Sequence, residues 1–506
     1  MRKKLFIKNA LLLTVTGLIL RFIGVFFRVW LSHTIGAEGM GLYQLIISVY
    51  VLASAFAAGG LTTAVTRQVA DRLSFNDTIG AKRALYLSII LTLVVATITT
   101  LVICGFSNEI ATFLIKDIRA KEALKTLCIG LFFMGVASCF KGYFLARRRA
   151  VSPSVALLLE QAARIALIFI FVPKAATISL SAAAATILLC DGLSEGVSCL
   201  YLTLSFWVDK RRLKGGGKAV KFKYLLKENL AISVPITAGK YLSTLLRTIE
   251  NLLVPQNLAK YALSYKNALE QFGMIKGMAL PILFFPATLL NSITTLLIPE
   301  VSEAKAKSNN LTVQKTVIKS FKITLFSAYI LGGIFLANAQ KLGIIIYKSE
   351  SVGFLLKALS PLVPIMYLDS MADGLLKGLN EQNRTLWHSF VDSVFRIALI
   401  LVFVPRFGML AFLCIMYFSN ILTCLLNVRR LLAVTRVKFD LLRLVFLPLL
   451  FTALSVIFSF MILSAFNFLP SIVYVVIFAF ISMFFYLLLL FAAKLVKIEQ
   501  IKGFII

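Results

Sequence analysis

Apolar residues recur along this 506-residue chain in runs long enough to cross a bilayer, and no other feature restricts its fold as much. A transmembrane helix needs roughly 20 mostly apolar residues, and about fourteen such runs can be marked. They lie near 10–32, 41–61, 84–105, 124–145, 153–173, 180–207, 229–255, 272–298, 319–338, 355–376, 387–405, 409–428, 444–466 and 470–493. Inside lipid a backbone must satisfy its own hydrogen bonds, and runs of this length do so as helices. The pattern therefore predicts an all-α membrane protein with 14 transmembrane helices. Composition agrees: 59% of residues are hydrophobic and 15% charged, far from the balance of a soluble domain. The first run carries Arg21 and Arg28 and lacks a small-residue cleavage site, which marks a span and not a removable signal peptide.

The 53 Lys and Arg against 22 Asp and Glu would suit nucleic acid if they shared one soluble face. They fall between the apolar runs instead, so no nucleic-acid partner is expected. With both termini cytoplasmic, the inner segments hold about 34 of the basic residues and the outer segments about ten, the bias that sets membrane orientation. Cys104, Cys128, Cys139, Cys190, Cys199, Cys414 and Cys424 lie in or beside apolar runs without a CxxC pair, which argues for buried thiols and against disulfides or a metal site. The run Asp209-Lys-Arg-Arg-Leu-Lys-Gly-Gly-Gly-Lys218 has the composition of a flexible linker. Its glycines do not form a phosphate loop, because the GxxxxGK[ST] spacing is absent.

An internal repeat organises the rest. Residues 164–173 read RIALIFIFVP and residues 396–405 read RIALILVFVP, identical at eight of ten positions at an offset of 232. One turn earlier, Glu160 answers Asp392, so each copy carries an acid at i and an arginine at i+4. Lys141-Gly142 and Lys377-Gly378 close the preceding spans, and Thr62-Thr63 is matched by Thr294-Thr295. Arg21 and Arg28 are spaced like Lys240 and Arg247, seven residues apart and so along one helix face. These matches predict two six-helix lobes related by a pseudo-two-fold along the membrane normal. The expected division is an N-terminal lobe 1–208, a cytoplasmic linker 209–227, a C-terminal lobe 228–430, and helices 13 and 14 with a cytoplasmic tail in 431–506.

Cations within spans are costly, about 2.5 to 3.5 kcal/mol each on insertion scales, and require a reason. Glu160 with Arg164 and Asp392 with Arg396 read as structural i, i+4 pairs. Arg21, Arg28, Lys240, Arg247 and Lys276 have no such local acid, which suggests a water-filled cavity for an anionic group; the alternative is snorkelling or pairing with other helices. Arg67 could join them or be ordinary positive-inside charge. The acid pairs Asp191/Glu195 and Asp369/Asp373 are candidates for ion coupling, or for neutralising the cations of spans 1 and 7. His33 and His388 read as bystanders. No catalytic constellation is evident, which weighs against an integral-membrane transferase.

The strings Arg21-Phe-Ile-Gly-Val-Phe-Phe-Arg28, Ile35-Gly-Ala-Glu-Gly-Met-Gly-Leu-Tyr-Gln44 and Gly59-Gly-Leu-Thr-Thr-Ala-Val-Thr-Arg-Gln-Val-Ala-Asp71 carry a family resemblance, as does Pro235 to Pro255. They resemble the stage V sporulation protein B and polysaccharide-flippase branch of the multidrug/oligosaccharidyl-lipid/polysaccharide exporter superfamily. The resemblance implies a non-enzymatic flippase in a bacterial cytoplasmic membrane. Its substrate would be an undecaprenyl-pyrophosphate-linked saccharide, such as a cell-wall, spore-cortex or polysaccharide precursor. It also implies that Arg21, Arg28, Arg67 and Arg247 meet the pyrophosphate. The partners expected are that lipid-linked saccharide and membrane lipids, in an oligomeric state the sequence leaves open. No cofactor is expected, and the energy source would be H+, Na+ or the membrane potential. The competing reading is a cation-coupled multidrug antiporter of the same fold, which the excess of arginine suits poorly.

Overall fold

The structure, a computed structural model, describes residues 2–212, 216, 221–464 and 470–496, without the side chains of 2–11, 212, 291–296 and 299. Most of the glycine-rich linker including Lys218, the side chains of Thr294 and Thr295, and the basic tail residues Lys497 and Lys502 lie outside the described residues. All regular structure among the described residues is helical. Among the described residues ten helices are long and apolar enough to cross a membrane by length and composition, so the chain is a multi-pass membrane protein.

Contacts divide it into two compact units, Met1–Gly273 and Met274–Ile506. The first contains α1 (Arg2–Ala58), α2 (Leu61–Ser74), α3 (Thr78–Gly105), α4 (Ala120–Ala146), α5 (Val151–Ile178), α6 (Leu180–Arg212), α7 (Phe222–Ala262) and α8 (Tyr265–Gly273). Here α6 packs on α4 and α5, α2 and α3 pack on α4, and α1 lies against α7 and α8. The second unit opens with a π-helical turn, Met274–Ala279, and a short helix, Leu280–Phe284. It continues through α9 (Ala287–Ala306), α10 (Asn310–Tyr347), α11 (Glu350–Leu359), α12 (Val363–Gly378), α13 (Gln382–Thr435), α14 (Leu447–Ser464) and α15 (Ser471–Ala492). In it α10 touches α9, α11, α12, α14 and α15, while α12 pairs with α13. The packing units do not coincide with the expected lobes 1–208 and 228–430: contacts break after the seventh apolar run, with which the second lobe is expected to start.

Two pairs of expected spans run on without a loop. Gly36 breaks α1 between the first two apolar runs with φ 71° and ψ −179°, and Gly408 breaks α13 with φ 59° and ψ −135°. Left-handed backbone costs an L-residue roughly 1–2 kcal/mol, so a glycine does here what a longer connection does elsewhere. The outward faces are apolar: Phe480 and Phe484 of α15 are 70% and 63% exposed, as suits contact with lipid tails. The inward faces carry small polar residues. Ser482 donates to Ser459 at 2.8 Å across the α14–α15 seam, and Ser455 and Ser459 also bond back to carbonyls of their own helix.

The spacing of 232 also governs the turns. Asn76, Lys116 and Arg148 have left-handed backbone, with φ 57°, 60° and 57°; Ser308, Lys348 and Asn380 answer them with φ 53°, 52° and 60°. Directly after the first pair, Asp77 caps α3 through Gly80 N–H at 2.8 Å, and Asn309 caps α10 through Thr312 N–H at 3.1 Å. The Lys-Gly pairs mark close helix approaches. A Cβ on Gly142 would lie 2.6 Å from the Thr62 carbonyl oxygen, and one on Gly378 would lie 3.2 Å from the Ile298 carbonyl oxygen. Thr66 donates to the Gly142 carbonyl at 3.1 Å and Ser302 to the Gly378 carbonyl at 2.5 Å.

At a second site the free thiols differ from the sequence reading: Cys104 and Cys414 are exposed, and the other five are buried or half-buried. Gly142→Val should force α2 and α4 apart and cost about 1–3 kcal/mol, the usual penalty of overpacking. Gly105→Ala, where nothing lies within 4 Å, is the matched control. Thermal melting of the two purified variants in detergent checks this; equal melting temperatures would remove the close-approach argument.

Candidate functional site

Of the six candidate head-group cations, Arg21, Arg28, Arg67, Lys240 and Arg247 belong to the first unit, and Lys276 lies in the π-helical turn that opens the second. Arg21 and Arg28 stand on α1 before its break, Arg67 on α2, and Lys240 and Arg247 on α7. Each is exposed. Among the described residues of their own unit, Arg21, Arg28 and Arg247 have no hydrogen-bond or ion-pair partner. Arg67 lies 4.0 Å from Asp71, both side chains more than half exposed, an arrangement that contributes little energy. Lys240 is different: its ammonium donates to the Gly59 carbonyl at 2.5 Å, beside the C-terminus of α1, where a cation also suits the helix dipole.

What holds α7 in this unit is a ladder of polar contacts. At its start, Gln68 donates to the Leu225 carbonyl at 3.0 Å, Asn229 donates to Gln68 at 3.1 Å and to Ser88 at 2.8 Å, and Arg72 pairs with Glu228 at 3.0 Å. Lys240 makes the next contact. Beyond it, Thr248 donates to the Ser48 carbonyl at 3.0 Å and Asn251 to the Ser48 hydroxyl at 2.9 Å, directly after Arg247. Prolines 235 and 255 lie within α7, and these side-chain bonds fasten it on both sides of Pro235.

A second set of charges in this unit is buried and paired. Arg164 of α5 reaches Glu160 at 3.4 Å and Asp191 of α6 at 3.0 Å, while Lys141 of α4 lies 3.5 Å from Glu160. Glu195, one turn beyond Asp191, accepts a hydrogen bond from Tyr50. Its other oxygen is buried without a hydrogen-bond partner among the described residues and faces Gly130, whose added Cβ would stand 3.1 Å away. Tyr43 lies within the electrostatic reach of Asp191, Arg164 and Arg28. Asp191 and Glu195 are thus taken up by spans 5 and 2, not by the cations of spans 1 and 7. Helical spacing identifies a face but not the neighbour it meets, which only packing decides. At the α1 break, Arg119 bonds Asp117 and Glu38 at 2.7 Å each; the Asp117 hydrogen bonds, joined by Glu38, raise its pKa above the ordinary arginine value.

The second unit contains the same device in another form. Arg396 reaches Asp392 at 2.5 Å and also Ser419, whose hydroxyl donates to the other Asp392 oxygen at 2.5 Å. Each repeated arginine therefore joins an acid one turn back to a polar residue after the next helical break, Asp191 in one copy and Ser419 in the other. Asp373 pairs with Lys377 at 2.6 Å. Asp369 accepts from the Asn427 amide at 2.8 Å, and the Asn427 carbonyl oxygen lies 2.8 Å from His388 Nδ1. Since that oxygen can only accept, His388 carries its proton on Nδ1. His388 is no bystander but the end of a three-residue chain. Spacing could not disclose it, because its partner lies 39 residues away; nor could it disclose Tyr50 or Ser419.

The chain is similar in sequence and fold to known proteins. A protein of Bacillus subtilis (strain 168) named stage V sporulation protein B is 25% identical over 415 residues, 80% of this chain and 79% of its own length. Sporulation protein YkvU of the same organism is 25% identical over 326 residues, 63% of this chain and 70% of its own. Among solved structures, an inward-facing multidrug resistance MATE family transporter of the MOP superfamily superposes with TM-score 0.62 at 17% identity, over 84% of this chain and all of that one. A MOP superfamily transporter from Pyrococcus furiosus gives 0.59 at 16% identity, over 85% of this chain and 96% of its own. At such identities the likeness is one of fold. The sequence model of the family described as polysaccharide biosynthesis protein matches residues 6–283, which include Arg21, Arg28, Arg67, Lys240, Arg247 and the Arg164 cluster, and the chain belongs to that family.

Proposed function

We propose that the protein is a flippase that moves an undecaprenyl-pyrophosphate-linked saccharide across the cytoplasmic membrane by alternating access, and that it is not an enzyme. The observation that carries this reading is the sorting of in-span charge. Arg164 and Arg396 are locked against acids, whereas Arg28 and Arg247 are exposed and unpaired within their unit. Exposed guanidiniums at membrane depth are tolerable where water or an anion meets them. Family membership and the likeness to stage V sporulation protein B support a lipid-linked sugar as the anion.

In this reading the chain crosses the membrane fourteen times, as two six-helix copies related by a pseudo-two-fold plus two further helices. The recurrence of turns and caps at an offset of 232 supports it. A pyrophosphate cannot enter hydrocarbon, but its polyprenyl tail need not leave it. The head is held by Arg28 from the first copy and Arg247 from the second, whose planar guanidiniums suit bidentate phosphate contact. Arg21 and Arg67 extend the cationic surface, and Lys240 contributes charge while capping α1. Glu195, with its unpartnered buried oxygen, and Asp191 are the first candidates for coupling to H+ or Na+; Asp369 and Asp373 are the second pair. A cation-coupled multidrug antiporter is the competing reading, favoured by the fold of the MATE structures.

Three outcomes are expected. Arg28→Ala or Arg247→Ala should lower flipping of a fluorescent polyprenyl-pyrophosphate saccharide in proteoliposomes about 10- to 100-fold, as for loss of a charge-assisted bond worth about 1.5–3 kcal/mol. Lysine should restore part of it, and full flipping by the double alanine variant refutes the mechanism; uptake of a cationic dye by the wild type would favour the antiporter. Arg164→Ala should instead fail in folding, losing about 3–5 kcal/mol by stranding Glu160 and Asp191, and low membrane yield without a specific transport defect is the readout. For orientation, a cysteine introduced at Lys348 should react with an impermeant maleimide from outside whole cells and one at Arg148 should not; the reverse pattern would invert the topology.

A further inference from the structure

Two of the seven cysteines meet. Cys104 stands one residue before the end of α3 and Cys128 about two turns into α4, and the Cys104 thiol donates to the Cys128 sulfur at 3.4 Å. The Cys128 thiol in turn donates to the Leu124 carbonyl of its own helix at 3.5 Å, so its sulfur is left to accept. Their surroundings differ: Cys104 is exposed and Cys128 only 3% exposed. A Cβ built on Gly105 would find nothing within 4 Å, so the end of α3 has open space beside it. To bond, the two sulfurs have to close by only about 1.4 Å. Polar residues about one turn away set the pair near a membrane surface: Asn108 after Cys104 is exposed, and Lys125 before Cys128 pairs with Glu122 at 3.0 Å. Deeper in the same seam, Thr92 and Cys139 lie 3.2 Å apart, and a Cβ on Gly135 would stand 2.4 Å from Thr92 Cγ2. The two helices are already close neighbours, and a bond between them needs no rearrangement of their packing.

We propose that Cys104 and Cys128 are an oxidation site, at which exchange with a soluble disulfide ties α3 to α4 by a covalent bond. The exposed Cys104 loses its proton to solvent and its thiolate attacks one sulfur of the oxidant, expelling one thiolate and leaving a mixed disulfide on Cys104. Cys128 then passes its proton to a leaving thiolate and attacks Cys104 Sγ, expelling the second half of the oxidant. Two protein thiols are oxidised to one disulfide, and the oxidant disulfide takes up the electron pair and both protons as two thiols. Their separation of 24 residues lies outside any CxxC pattern, so spacing does not disclose the pair. The bond closes the segment 105–127 at its base. That segment meets three other helices of the unit: Arg119 pairs with Glu38 of α1 at 2.7 Å, and the carbonyls of Leu114 and Ile115 accept from Gln256 of α7 and Tyr265 of α8. Closing the loop lowers the freedom of the segment that makes these contacts. In the orientation proposed above this end faces outside, where disulfides persist; the cysteine labelling at Lys348 and Arg148 tests that orientation separately from the exchange.

The test uses the purified full-length protein in detergent, first reduced and then incubated with oxidised glutathione. Remaining thiols are blocked with N-ethylmaleimide, and the state of each cysteine is read by non-reducing peptide mass spectrometry. In the wild type the linked Cys104 and Cys128 peptides should exceed the glutathione adduct of Cys104 about tenfold or more, because a thiol held in contact acts at an effective concentration far above that of a millimolar reagent. In Cys128→Ser, Cys104 should instead be recovered as the glutathione adduct, which is the trapped first step. In Cys104→Ser, Cys128 should stay free because it is buried. Cys139 and Cys190, both buried, and Cys414, exposed on α13, should enter no linked pair. Dithiothreitol should return the linked peptides to free thiols. Should a serine variant misfold, the ratio of linked peptide to adduct in the wild type decides. The proposal is overturned if Cys104 of the wild type collects as the glutathione adduct, if both thiols stay free, or if Cys128 is recovered linked to another cysteine.

Discussion

A bilayer interior offers no water to a stranded polar group, and the disposition of nearly every charged residue in this chain follows from that shortage. The two arginines of the i, i+4 pairs are each met on more than one side. Arg164 has Glu160 on its own helix and Asp191 on the next, and Arg396 has Asp392 and Ser419. Removing a partner from such a cluster costs more than the cluster itself contributes, so these residues act as constraints on which helices can be neighbours. Hydroxyls are treated alike: Ser88, Thr92, Ser455 and Ser459 return their hydrogen bonds to carbonyls four residues back.

Against that background the exposed guanidiniums are the exception. Arg28 and Arg247 sit on helices that are fastened by other polar groups: Ser48 is taken by Thr248 and Asn251, and Gly59 by Lys240. The polar ladder that fastens α7 to α1, α2 and α3 thereby holds Lys240 and Arg247 in the packed unit that contains Arg21, Arg28 and Arg67. A cationic surface made this way is held by ordinary helix-packing contacts and leaves its arginines uncommitted, as a reversible ligand site needs.

Glycine and the left-handed turns set the geometry that surrounds it. Gly36 and Gly408 let two helices continue through a break, Gly142 lets helices approach closer than a side chain permits, and Gly378 marks a tight approach at which a Cβ would require a small shift. The turns at Asn76, Lys116 and Arg148 and their counterparts at Ser308, Lys348 and Asn380 preserve connection geometry although few side chains match between the copies.

Apolar run length by itself marked most of the helices, since a span must reach across a fixed hydrocarbon thickness; it did not disclose that the run 272–298 is divided by the π-helical turn Met274–Ala279 and by a further break before Ala287. Residue spacing also exposed the repeat and the two Asp/Glu–Arg pairs, because partners four residues apart on a helix are local by construction. The remaining partners came only with tertiary structure. Tyr50 for Glu195 is 145 residues distant, Asp191 for Arg164 is on another helix, and Lys240 turned out to cap α1. Helical periodicity assigns a residue to a face, and a face has several candidate neighbours. Which neighbour it meets depends on the close approaches at Gly142 and Gly378 and on the breaks at Gly36 and Gly408, and those are properties of the packed helices and not of any one run of residues.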